Sequence, residues 1–188
     1  GIDMNHLKKL EDLLDSLGGE KRIRYALDHF KEALSSVGDP QKAVKTILIG
    51  GTNGKGTTTL LISQVLKAQG LRVHTYLSPH LQSPTERILK NLTPISNEEL
   101  CSLAEEFIDT ARTYSLSYFE YLTLLFFVHA QRTGADFSVV EVGLGGRLDS
   151  TNVTDPIATV LTNVDYDHQA FLGNTLESIL KEKLGILR

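Results

Sequence analysis

The sequence predicts an α/β domain in three layers, with a mostly parallel sheet covered by helices on both faces. Three observations carry this expectation. Short runs of β-branched and aliphatic residues alternate with longer stretches of helical spacing. The runs are separated by helices rather than two-residue turns, which implies right-handed crossovers and parallel strands. A glycine-rich turn, Gly50-Gly51-Thr52-Asn53-Gly54-Lys55-Gly56-Thr57-Thr58, joins one apolar run directly to one helix.

Taken in order, Leu7, Leu10, Leu13, Leu14 and Leu17 form one helical face, ended by Gly18-Gly19. Ile23, Leu27, Phe30 and Leu34 continue as a second helix before Gly38-Asp39-Pro40, and both helices read as packing elements. Val44 to Ile49 reads as a buried strand, and Leu60, Leu61, Val65 and Leu66 give the following helix its apolar spacing, closed by Gly70. Arg72 to Leu77 is a second strand, followed by a long polar loop with Pro79, Pro84 and Pro94. Ser96 with Glu99 is a capping-box signature for a helix reaching about Tyr114. Tyr118 to Arg132 is apolar enough for a buried helix; Phe137 to Val142 and Ile157 to Leu161 are the third and fourth strands, and a last helix starts near Asn174 or Thr175.

The 188 residues suffice for one large domain. A formal net charge of -4 and a pI of about 5.9 give no support for nucleic-acid binding. Cys101 is the only cysteine, so neither an internal disulfide nor a cysteine zinc cluster can form, and a reducing, cytoplasmic setting is expected. No apolar run reaches the ~20 residues of a membrane helix, and no secretory segment is visible. Gly1-Ile2-Asp3 reads as a remnant ahead of Met4, and the abrupt end at Leu187-Arg188 suggests a piece of something longer.

The glycine-rich turn is where a phosphate would sit. Small residues let backbone N–H groups approach an anion, the helix N-terminus adds roughly half a positive charge, and Lys55 adds a whole one. This predicts a P-loop-type mononucleotide-binding domain, although the pattern is not G-x-x-x-x-G-K-[ST]: Ile49 stands where the first glycine belongs, and Gly56 separates Lys55 from Thr57. A turn that merely joins strand to helix is the plainer alternative. In parallel sheets ligands gather beyond the carboxyl ends of the strands, so the turn, Ser78, Glu141 and the loop around His168 should converge on one edge. Glu141 ends an otherwise apolar strand, and burying its charge unpaired would cost several kcal/mol. Mg²⁺ with a nucleotide is one partner it could take; a salt bridge to Arg147 or a lysine is the other. His168, in Asp165-Tyr166-Asp167-His168, and Ser78-Pro79 would each be ordinary loop residues by themselves. His6, His29, His74, His80 and His129 show no metal-site spacing.

Eight segments together resemble a known family: Gly51 to Thr57, Leu77-Ser78-Pro79-His80-Leu81, Thr85-Glu86-Arg87-Ile88, Tyr118-Phe119-Glu120, Glu141 to Asp149, Asp167-His168, Phe171-Leu172-Gly173 and Glu182-Lys183-Leu184-Gly185-Ile186. In order and spacing they are similar to bacterial folylpolyglutamate synthase/dihydrofolate synthase, the folate branch of the Mur ligase superfamily. Leu184 stands where that family usually has alanine and Leu122 where glycine is common. The resemblance implies that residues 1–188 form the N-terminal ATP-binding domain, of Mur-ligase central type, of a monomeric protein whose second, Rossmann-like domain is absent here.

It also implies roles. Thr52, Asn53, Gly54, Lys55, Gly56 and Thr57 would bind ATP. Ser78 and Glu141 would hold one Mg²⁺ and Glu141 with His168 a second, so that Lys55, Glu141, His168 and Lys183 would be the catalytic set. Lys183 matches a lysine carried as a carbamate, an anion able to support the metals where an ammonium would repel them; without the motif it reads as a solvated helix lysine. Ser117, Tyr118, Phe119, Glu120, Leu148, Asp149 and Ser150 match contacts to the pterin substrate, although Phe119 by periodicity alone could be core. The stretch from Gln82 to Ile88 matches a loop that closes over it. ATP, dihydropteroate or folate, and L-glutamate would be the partners, joined through an acyl phosphate. Three other readings stay open: a peptidoglycan-precursor ligase of the Mur branch, a P-loop kinase or GTPase, and a nucleotide-binding module without turnover.

Overall fold

The computed structural model describes residues 4–17, 28–51, 53–78, 83–142 and 153–162. In chain order these carry α1 (Met4–Asp15), α2 (Asp28–Ser36), β1 (Lys45–Gly51), α3 (Lys55–Ala68), β2 (Val73–Tyr76), β3 (Ile88–Lys90), β4 (Thr93–Pro94), α4 (Asn97–Thr113), α5 (Tyr118–Arg132), β5 (Phe137–Glu141) and β6 (Ala158–Thr162). Short 3-10 turns occupy Pro40–Lys42 and Pro84–Arg87.

Among the described residues the six strands lie in the order β4-β3-β2-β5-β1-β6. β2, β5, β1 and β6 run parallel, whereas β3 and β4 add an antiparallel edge beside β2. Successive side chains of a strand point to opposite faces, and the core divides accordingly. Ile47, Ile49, Val73, Val139 and Val160 meet Ile62 and Leu66 of α3 on one face. Leu48, Tyr76 and Val140 meet α1, α2, α4 and α5 on the other. The three-layer, mostly parallel architecture expected from the alternation is therefore present. Two hydroxyl pairs lie inside it: Thr46 Oγ1 is 2.9 Å from Ser138 Oγ across the β1–β5 ladder, and Ser63 Oγ is 2.8 Å from Thr75 Oγ1 between α3 and β2.

α5 is buried on nearly its whole circumference, as its uniform apolarity requires. Its N-terminus carries a full capping box. Ser117 Oγ accepts from the Glu120 N–H at 3.2 Å, while Glu120 Oε1 accepts from the Ser117 N–H at 2.9 Å. At α4 the sequence signature is half fulfilled: Ser96 Oγ accepts from the Glu99 N–H at 3.0 Å, but the Glu99 carboxylate turns to His129 Nε2 at 2.9 Å.

The stretch read as a long polar loop differs. Its described part holds the 3-10 turn and the β3–β4 hairpin, whose tip residues Asn91 and Leu92 take φ of 48° and 70°, the geometry of tight two-residue hairpins. Asn91 fastens the hairpin to β2, its Oδ1 accepting from the Val73 N–H at 2.9 Å and its own N–H donating to the Val73 carbonyl at 2.7 Å. The start of the expected second helix, at Ile23 and Leu27, and the expected last helix lie outside the described residues.

Candidate active site

β1 ends in two glycines beside β6. Gly51 has φ of +117°, and a Cβ there would stand 2.2 Å from the Thr162 carbonyl oxygen and 2.6 Å from Thr162 Oγ1. No side chain fits at Gly51, where the chain leaves the carboxyl end of β1. Gly54, with φ of 75°, then forms the N-cap of α3, and no side chain caps that terminus. Asn53, Gly54 and Thr57 are exposed around it, Gly56 is half-buried, and Thr52 lies outside the described residues. An uncapped helix start that follows a glycine turn offers backbone N–H groups and the positive end of the helix dipole to an anion.

Lys55, the first residue of α3, is buried, and its Nζ donates to the Val142 carbonyl at 2.9 Å, just beyond β5. This bond ties the turn to the strand that ends in Glu141. Glu141 is 6 % exposed. Its Oε2 accepts from the Ser78 backbone N–H at 3.1 Å and lies 3.8 Å from where a Cβ on Gly56 would stand. Burial pushes its carboxyl above the ordinary value, against the pull of the Ser78 N–H and of the charges on Lys55 and Arg87. Among the described residues Glu141 forms no ion pair: the ammonium of Lys55 goes to a carbonyl instead, and Arg147 lies outside them.

Three of the four groups expected to converge, the turn with Lys55, Ser78 and Glu141, thus meet at one carboxyl edge of the sheet. The fourth, His168, lies outside the described residues, as do Lys183, Leu148, Asp149 and Ser150. Ser78 reaches Glu141 through its backbone N–H. No cluster of three or more His, Cys, Asp or Glu side chains suited to a metal occurs among the described residues.

The residues expected to touch a second substrate occupy the first turn of α5. Ser117 and Glu120 are engaged in the cap, and His29 Nε2 of α2 stands 2.9 Å from Glu120 Oε2. Tyr118 is buried in the core, whereas Phe119 is half-buried, its ring edge-on to Tyr76 at 6.0 Å. The Arg87 guanidinium carbon sits 5.7 Å from the Phe119 centroid. Sequence reasoning gave no role to His29 or to Arg87 individually. The Ser-x-x-Glu spacing at Ser117–Glu120 was a legible signal for the cap; only tertiary contacts reveal His29 and Arg87.

Fold and edge together define a three-layer α/β domain in which a parallel strand, β1, runs through a glycine turn into a helix, with a buried carboxylate on the neighbouring strand β5. The chain belongs to the Mur ligase family, whose middle domain matches residues 49–188. Within that family it is similar to the dihydrofolate synthase/folylpolyglutamate synthase of Bacillus subtilis, 38% identical over 173 residues that span 88% of this chain and 40% of that protein. Among solved structures it resembles the Mycobacterium tuberculosis folylpolyglutamate synthase complexed with ADP and AMPPCP, with a TM-score of 0.77 and 33% identity over 97% of this chain and 42% of that one. An FPGS-AMPPCP-folate complex gives a TM-score of 0.74 and 33% identity over 95% and 46%. Among the described residues no helix is long and apolar enough to cross a membrane.

Proposed function

We propose that the chain is the ATP- and pterin-side domain of a ligase that joins L-glutamate to dihydropteroate or a glutamylated folate. The observation that carries this reading is the meeting of the uncapped glycine turn, Lys55 and the desolvated Glu141 carboxylate at one edge. Relatives named for this activity, and neighbours bound to ADP, AMPPCP and folate, support the substrate class. Because the chain spans 40% of such a relative, the glutamate side belongs to the rest of the whole protein. The single cysteine fits a cytoplasmic enzyme.

In this reading a carboxylate oxygen of the pterin acid attacks the γ-phosphorus of ATP, and ADP departs. The amine of L-glutamate then attacks the acyl carbon, loses a proton and expels phosphate. Phosphoryl transfer asks the protein mainly for position and charge neutralisation. Backbone N–H groups of residues 53–57 would cradle the phosphates, and Lys55, one backbone carbonyl away from Glu141, would offset their charge.

The residues present fit Mg²⁺: Glu141 is a hard oxygen donor, desolvated and in no ion pair among the described residues, and Mg²⁺ takes only one or two protein carboxylates. Glu141 with Ser78 would hold one ion and Glu141 with His168 a second, with Lys183 as a carbamate beside them. Bound there, Mg²⁺ would polarise the terminal phosphates and reduce their repulsion of the incoming carboxylate. The test is binding of a non-hydrolysable ATP analogue with and without Mg²⁺, followed by phosphate release by the full-length protein with dihydropteroate and glutamate. Binding of UDP-linked precursors in place of pterins would transfer the assignment to the peptidoglycan branch.

A further inference from the structure

We infer that the seam between β2 and α5 is an acid-released catch, in which a proton taken up by His74 or His129 can settle only on Nδ1 and parts the strand from the helix. Both tautomers follow from the hydrogen bonds. Thr133 Oγ1 has one hydrogen, which it donates to the His129 carbonyl at 2.6 Å, so the 2.7 Å contact with His74 Nε2 is donated by the ring. His129 Nε2, 2.9 Å from Glu99 Oε1, donates to a carboxylate. Each neutral ring therefore carries its hydrogen on Nε2 and a bare lone pair on Nδ1. Both Nδ1 atoms are buried, and neither has a hydrogen-bond partner among the described residues.

A proton arriving on either Nδ1 creates a buried N–H with nothing to accept it and a charge in a dry place. The neighbours of His74 do not offset that charge. Lys90 of β3, its partner in the ladder, is itself positive; α5 brings His129, and the Glu99 carboxylate of α4 is turned to His129. From β5 the paired residue is Ser138, which is uncharged. Burial first, with His129 and Lys90 adding to it, holds His74 down to about 4, so a parted seam gains ground as pH falls below 6.5. The seam also runs beyond the imidazoles. Tyr76, two residues along the same face of β2, meets Phe126 with centroids 5.0 Å apart and Phe119 edge-on, so parting reaches the first turn of α5 at the carboxyl edge. Helix α3 packs on the opposite face of the sheet, outside this seam.

The alternative is a packed pair of rings that yields to acid only when the whole fold does. Hydrogen exchange by the full-length protein, compared between neutral pH and about pH 4.5 after correction for intrinsic rates, separates the two. Peptides from β2 and α5 should lose protection roughly 10- to 100-fold at the lower pH, while peptides from α3 keep theirs. His74→Gln, which keeps a donor for Thr133 but takes up no proton, should remove most of that loss. Equal loss in α3, no loss in β2 and α5, or an undiminished loss in the His74→Gln protein would overturn the proposal. If His74→Gln fails to fold, judged by circular dichroism, nitrogen-15 spectra of the unsubstituted protein's imidazoles at neutral pH decide. A hydrogen on Nε2 and none on Nδ1 in both rings supports the catch, and a hydrogen on Nδ1 of either ring counts against it.

Discussion

At the scale of single residues, Glu141 is an acid kept dry at a cost. Its folded value lies above the ordinary 4.5, so its contribution to stability is greatest below that value and is lost as pH rises through the raised one. The ligand-free protein should therefore gain stability at neutral pH on Glu141→Gln, with a flatter pH profile in denaturant titrations, while metal-dependent binding of an ATP analogue disappears. Retained metal-dependent binding would remove Glu141 from the site. Gly51 gives the opposite case, a residue with no freedom to change. Gly51→Ala places a methyl against the Thr162 backbone at a positive φ and should cost at least about 2 kcal/mol in urea unfolding. Glu141 was legible in the sequence because a charge at the end of an apolar run is an anomaly. Arg87 was visible only as one member of a resembling segment, since nothing local says which ring or carboxylate a loop arginine will face.

At the scale of elements, α5 depends on its cap and on a buried pair of imidazoles. Ser117→Ala removes the acceptor of the Glu120 N–H and should destabilise the protein by about 1 kcal/mol in thermal unfolding. Further along, His74 of β2 and His129 of α5 stand with ring centroids 5.1 Å apart, His74 Nε2 being 2.7 Å from Thr133 Oγ1. Burial first, then the neighbouring His129 and Lys90, pushes His74 down to about 4 from 6.5. Because the folded value is the lower one, stability is present above pH 6.5 and drains away as pH falls toward about 4, by on the order of 3 kcal/mol in all. His74→Gln should flatten that limb of a stability-versus-pH curve, and an unchanged limb would assign the acid sensitivity elsewhere. β1, β2, β5 and β6 were readable to within one or two residues because β-branched runs bounded by turns leave little choice. The β3–β4 hairpin was not, because its strands are three and two residues long and its turn, Asn91-Leu92, lacks the glycine that marks such tips.

At the scale of the whole molecule, the parallel sheet brings residues distant in sequence to one edge, and ligand there should stabilise the entire fold. An ATP analogue at about 100 times its Kd should raise stability by about 2.7 kcal/mol, read as an upward shift in Tm, and only with Mg²⁺ present. A metal-independent shift of the same size would point to a phosphate site that needs no divalent ion. Layering and strand direction followed from the spacing of the apolar runs, since crossover helices impose parallel pairing. The antiparallel edge did not, because it arises where the chain returns without a helix.

The tight seat of Thr162 against Gly51 has one more consequence. Two strand ends that leave no clearance for a methyl group behave as a mechanical joint: a sideways push on the chain leaving β6 is handed to the glycine turn without slack. Whatever grips the polypeptide beyond that point therefore holds a lever on the glycine turn proposed to cradle the phosphates.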